Sequence, residues 1–283
     1  MSEGDVVQRT QTPATVASLK ADLANLGVRP GMVLLVHSSL SALGWICGGA
    51  VAVIQALQET LTSRGTLVMP SFTTGLTDPQ DWQHPPVPEA WKATIRSDTP
   101  AFDPQRTPTR EMGRIAETFR TWPNVLRSHH PHVSFSAWGA EAKTITNGHA
   151  LDYGLGDGSP LARIYDLDGW ILLLGVGFAN NTSLHLAEHR ASFSGKTEEI
   201  NGAPMNIDGQ RKWVTIHDIV TDMDDFPTIG AQFMAETDWV RAEPVGAGRA
   251  LLMPQRPIVD YAVRWMEAHR VAAESDQEDA ATA

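Results

Sequence analysis

The sequence predicts an α/β fold, a single-domain layered sheet with flanking helices, on three observations. Residues 32–36 (MVLLV) and 170–176 (WILLLGV) are apolar without alternation, as in strands covered on both faces. Residues 15–26 and 50–63 place their large apolar side chains at helical spacing around the first run. A further short strand, 66–69, follows the second helix, so the order strand, turn, helix, strand reads as a parallel crossover unit.

Along the chain, residues 1–13 read as a flexible N-terminus, and a helix from Thr15 stops at Gly27. The strand at 32–36 runs into His37-Ser38-Ser39-Leu40 and a glycine-rich turn whose backbone N–H groups suit an anion. From 72 to 110 periodicity vanishes and Pro, Trp, Asp and Thr dominate, which predicts a structureless substrate loop carrying Trp82, Trp91 and Phe102. A helix is expected over 111–120 and a strand over 133–138. His129, His130 and His132 read as strand-entry histidines, because Pro131 interrupts them and no acidic or thiol ligand is near. Ser159-Pro160 caps a short helix. Residues 201–214 form a hairpin turning at Asp208-Gly209. A helix over 228–237, a strand pair over 245–253 and a closing helix over 258–273 complete a domain spanning 14–273. The acidic segment 274–283 reads as a disordered tail.

Composition narrows the function. With 22 basic residues against 33 acidic ones the net charge is −11, which argues against nucleic-acid phosphates and for a cationic partner. No apolar run is long enough for a bilayer, and the polar start lacks a secretory h-region, so no membrane association and a cytoplasmic location are expected. The single cysteine, Cys47, allows no intrachain disulfide and reads as a small packing residue.

The segment 170–190 (WILLLGVGFANNTSLHLAEHR) carries the chemistry. A buried strand ends at Gly175 and Gly177, and a helix beginning near Ser183 puts His185, Glu188 and His189 on one face beside the strand's C-terminal end, where α/β sheets bind ligands. Three readings are open. His185 is a capping or core histidine; or His185-Leu186-Ala187-Glu188-His189 is the H-x-x-E-H of an inverted zinc peptidase; or a carboxylate orients His185 as a general base.

Six blocks in order, LLVHSSLSALGWICGG, GTLVMPSF, PAFDPQRTPTREMGRIAETFR, HHPHVSFSAWG, LDYGLGDGSPLARI and LLLGVGFANNTSLHLAE, resemble the aminoglycoside 3-N-acetyltransferase family over nearly the whole chain. The resemblance implies the antibiotic N-acetyltransferase fold, distinct from the common N-acetyltransferase superfold. It also implies acetyl transfer from acetyl-CoA, with no metal, to the 3-amino group of a deoxystreptamine antibiotic, conferring resistance. Another natural-product amine is the alternative acceptor, and a zinc hydrolase the more remote one, since His189 lies outside the family's T-S-L-H-x-A-E block.

By the same resemblance His185 is the base, Glu188 orients it or binds drug, and His37 supports the thioester end. Ser38, Ser39, Leu40, Arg106, Thr107, Met112, Ser134 and Phe178 line the coenzyme site, with Ser38, Ser39 and Ser134 as oxyanion donors. Asp152, Glu199, Asp222 and Asp224 are the candidate carboxylates for the polycationic antibiotic, and the assembly is expected to be a monomer or homodimer.

Overall fold

The two continuous apolar runs lie side by side at the centre of a seven-stranded sheet in a computed structural model that describes residues 2–270. In chain order the elements are α1 (Glu3–Arg9), α2 (Val16–Leu26), β1 (Val33–Ser38), α3 (Gly49–Leu61), β2 (Thr66–Pro70), α4 (Glu89–Asp98), α5 (Gly113–Arg120), β3 (Leu126–Arg127) and β4 (Phe135–Gly139). There follow α6 (Ala142–Thr146), α7 (Pro160–Asp166), β5 (Trp170–Leu174), α8 (Ser183–Arg190), β6 (Glu198–Ile207), β7 (Gln210–Ile219), α9 (Phe226–Glu236), β8 (Arg241–Val245), β9 (Gly248–Pro254) and α10 (Gln255–His269).

The strand order is β3-β4-β2-β1-β5-β9-β8. β1 is parallel to both β2 and β5, and β4 and β9 pair antiparallel outside them. Alternate residues of the central strands enter opposite cores. Leu34, Val36, Leu172 and Leu174 pack with α2, α3 and α5, whereas Leu35, Ile171 and Leu173 pack with α6 to α10. Helices on both faces are why these strands carry no polar alternation.

Several elements depart from the sequence expectation. Residues 3–9, read as flexible, form α1, because Ser2 and Asp5 close a reciprocal capping box at its start. The 72–110 segment is not structureless: it contains α4, whose residues are all at least partly exposed, so its apolar period is too weak to announce it. In that segment Phe102 is buried while Trp91 is 60 % exposed. The hairpin β6–β7 stands apart from the main sheet as a two-stranded ribbon, and it turns at Asp208 and Gly209 as expected. The closing helix, predicted over 258–273, runs from Gln255 to His269 with Arg270 as its C-cap, and residues 271–273 and the predicted tail, 274–283, lie outside the described residues.

Candidate active site

His37 and His185 meet because β1 and β5 are neighbours. His37 is the penultimate residue of β1, paired in register with Leu173 of β5, and β5 leads through a sharp turn into α8. Gly175 makes that turn at φ 72°, where a Cβ would lie 2.7 Å from that of Ala42. Beyond it, Asn181 accepts the Ser183 N–H at the start of α8. His185 and Glu188 then fall one turn apart on the buried side.

The geometry around Glu188 is closed. Its Oε2 accepts the Nδ1–H of His185 at 2.5 Å, and its Oε1 accepts the Asp222 N–H at 2.9 Å and Arg270 Nη1 at 2.7 Å. Burial alone would push this carboxyl up. The bond from His185, that ring's charge, the Asp222 N–H and Arg270 together hold it below the usual range instead. With Nδ1 engaged by a carboxylate, Nε2 is the remaining nitrogen of His185, and the ring is braced edge-on against Phe226 at 5.0 Å.

His37 is different in kind. Burial, and then the charge of His185, push its pKa down to about 3, so it is a neutral imidazole, and it shares a 3.2 Å hydrogen bond with the Thr182 hydroxyl.

Both histidines line a cavity of about 920 Å³. Its walls include Ser38, Ser39, Leu40 and Met112 from the predicted coenzyme set. The others of that set lie elsewhere among the described residues. Arg106 is exposed, 3.8 Å from Asp103, and Thr107 ties the loop by accepting the Asp103 N–H. Ser134 is fully buried, its hydroxyl donating to the Ser71 carbonyl and accepting from Arg127 Nε. Phe178 packs flat on Gly230 of α9, where a Cβ would collide with the ring. Ser134 and Phe178 are turned into the core, whereas Arg106 stays in solvent and Thr107 in the loop.

The four predicted carboxylates divide. Asp222 donates its N–H to Glu188 and accepts from Asp224, beside cavity-lining Met223, so both border the site. Asp152 accepts the His217 N–H, and Glu199 stands on β6, its carboxyl raised by burial and by the nearby charges of Asp218 and Asp81. This acidic ribbon reaches α8 through His189, whose Nε2 is 2.8 Å from Asp218 while Nδ1 donates to the His185 carbonyl. Both His189 nitrogens are therefore occupied, and the paired-ligand face of a zinc helix is not formed.

Sequence reasoning missed Arg270, Asp225, Thr182, Arg114 and α1, which with its N-cap Ser2 contributes Glu3 and Val6 to the cavity wall. Arg270 and Glu188 are 82 positions apart, and no local pattern connects them.

Known proteins share this fold over nearly the whole chain. A family model described as aminoglycoside 3-N-acetyltransferase matches residues 35–267. The SPbeta prophage-derived aminoglycoside N(3')-acetyltransferase-like protein YokD of Bacillus subtilis is 44% identical over 262 residues, covering 92% of this chain and 95% of its own. Its crystal structure superposes with a TM-score of 0.92 at 42% identity, covering 94% of this chain and 98% of that one. AAC-IIIb in a binary complex with CoASH gives 0.83 at 32% identity, covering 93% and 99% of the two chains. AAC-VIa bound to sisomicin gives 0.84 at 30% identity, covering 92% and 100%. The mixed sheet and the near full-length similarity have one explanation: this chain belongs to the aminoglycoside 3-N-acetyltransferase family, an acyltransferase family.

Proposed function

We propose that this protein transfers acetyl from acetyl-CoA to the 3-amino group of a deoxystreptamine aminoglycoside, with His185 as general base, and thereby confers resistance. The observation that carries the reading is His185 on the wall of the large cavity, with its Nδ1 held from behind by the buried Glu188. An ammonium group must lose a proton before it can attack a thioester. Nε2 of His185 takes it, and Glu188 stabilises the imidazolium that results.

The cavity suits the cosubstrate. Leu40, Met112 and Val36 offer apolar surface to a thioester arm, Ser38 and Ser39 offer donors near the reacting carbonyl, and Arg114 with the N-terminal end of α3 at Gly49 suits phosphate. His37, held neutral, serves as a hydrogen-bonding neighbour of this end and not as a second acid. The carboxylates of the 222–225 segment and of the ribbon attract the polycation. Overall similarity to a relative solved with CoASH and to one solved with sisomicin supports the assignment.

The test is CoA-thiol release from acetyl-CoA with gentamicin-, kanamycin- and apramycin-like amines, with and without a strong chelator, and NMR of the product. Drug-dependent, chelator-insensitive release with acetyl on the 3-amino nitrogen is expected. Silence across the panel would redirect the assignment to another amine acceptor, and chelator sensitivity would reopen a metal mechanism.

A further inference from the structure

We infer that Arg270, at the end of α10, is a positioning residue for the base, setting the charge seen by His185 and locking the 222–225 segment to α8. The inference rests on the reading of His185 as general base.

Arg270 gives Nη1 to Glu188 Oε1 at 2.7 Å, Nε and Nη2 to the two oxygens of Asp225 at 2.6 and 2.7 Å, and Nη2 also to the Asp222 carbonyl at 2.7 Å. Its side chain is only 12 % exposed, so these bonds replace most of its hydration. One guanidinium thus joins three elements of the site. They are α8, through Glu188; the segment carrying cavity-lining Met223; and the first turn of α9, whose Phe226 abuts the His185 ring.

The charges have a definite sum. Arg270 is positive and Glu188 and Asp225 are negative, so the buried group carries one net negative charge while His185 is neutral. It becomes neutral when His185 takes a proton. Other charged or titratable groups facing the cluster are His37 from β1, held neutral; Lys196 from the loop after α8, which feels Glu188; and Asp222 at its rim. Removing Arg270 leaves two uncompensated carboxylates near the ring and eases imidazolium formation. Removing the charge of Asp225 does the reverse.

The test is the pH dependence of kcat/KM for Arg270→Met, Arg270→Lys and Asp225→Asn beside wild type and His185→Ala, with circular dichroism and melting curves for each. Arg270→Met is expected to move the acidic limb to higher pH by on the order of one unit. It should also lower kcat on the order of 10- to 100-fold through loss of alignment. Arg270→Lys should return the limb to the wild-type position while recovering kcat only in part, and Asp225→Asn should move the limb to lower pH. Opposite shifts in the methionine and asparagine variants are what a purely structural role cannot produce. Unshifted limbs in folded variants, with His185→Ala inactive, would overturn the inference alone; an active His185→Ala would overturn the base assignment beneath it. If Arg270→Met fails to fold, the Lys and Asn variants decide: a limb unmoved in Asp225→Asn overturns the inference.

Discussion

Glu188 stands one helical turn beyond His185 and holds its Nδ1 at 2.5 Å from a position with no solvent exposure. A carboxylate at this spacing fixes the tautomer of the ring and leaves Nε2 as the proton acceptor.

The first prediction concerns that nitrogen. His185→Ala is expected to lower turnover by roughly 10²-fold or more, since a positioned base contributes about that much in the transition state. CoA affinity should stay near wild type. Steady-state kinetics with calorimetric CoA titration checks both, and unchanged turnover would remove His185 from the mechanism.

Arg127 ties the 99–110 segment to the strand end at Ser71. Half-buried, it donates Nη1 to the Thr107 carbonyl at 2.6 Å, Nη2 to the Ser71 carbonyl at 2.7 Å and Nε to Ser134 at 3.0 Å, with its guanidinium over Phe102. Burial pulls its pKa down to about 10. Arg127→Met leaves those acceptors without their donor and is expected to cost about 2–4 kcal/mol. Denaturant unfolding should show the loss, and limited proteolysis should cut faster within residues 99–110.

The turn after β5 tolerates only glycine. At φ 72° with a Cβ 2.7 Å from that of Ala42, Gly175→Ala incurs both backbone strain and a clash, and is expected to destabilise by about 1–3 kcal/mol. A lower melting temperature with an accompanying fall in turnover is the expected result. A melting temperature at or above wild type would mean that the turn relaxes freely.

Acid stability follows from buried imidazoles. Burial lowers His132 and His149 to about 4 and His37 to about 3, from an ordinary 6.5. The unfolded chain therefore binds protons that the native chain refuses, so stability is full above pH 6.5 and declines as pH falls toward 4 and below. Glu117 adds to the decline later. Burial would raise it, but Arg120 and Thr109 hold it at about 2, so its contribution is present above 4.5 and lost as pH falls toward 2. Melting temperatures across pH 3–8 should fall steadily below 6.5, and a flat profile down to 4.5 would contradict the histidine contribution.

Much of this was legible in the chain itself. The two continuous apolar runs announced central strands, since only strands covered on both faces can dispense with polar alternation, and β1 and β5 are those strands. His185 and Glu188 were legible because three residues on a helix is a contact distance. Local chemistry of this sort, with turns, caps and one-turn spacings, depends only on neighbours in sequence.

What the tertiary structure decided involves residues far apart in the chain. Ser134 and Phe178 sit in motifs beside the site, yet the pleat and the packing of α9 turn them into the core, while Arg114 and α1 reach the cavity. His130, His132 and His149 became a satisfied buried cluster, with His149 bonded to Ser128 and Gly154, His130 to Leu151 and His132 to Gly202, while His129 stays exposed. Arg270 found Glu188 only because α10 packs along α8. Periodicity encodes which face of an element is buried, but not which other element will cover it. That choice is made by the packing of the whole chain.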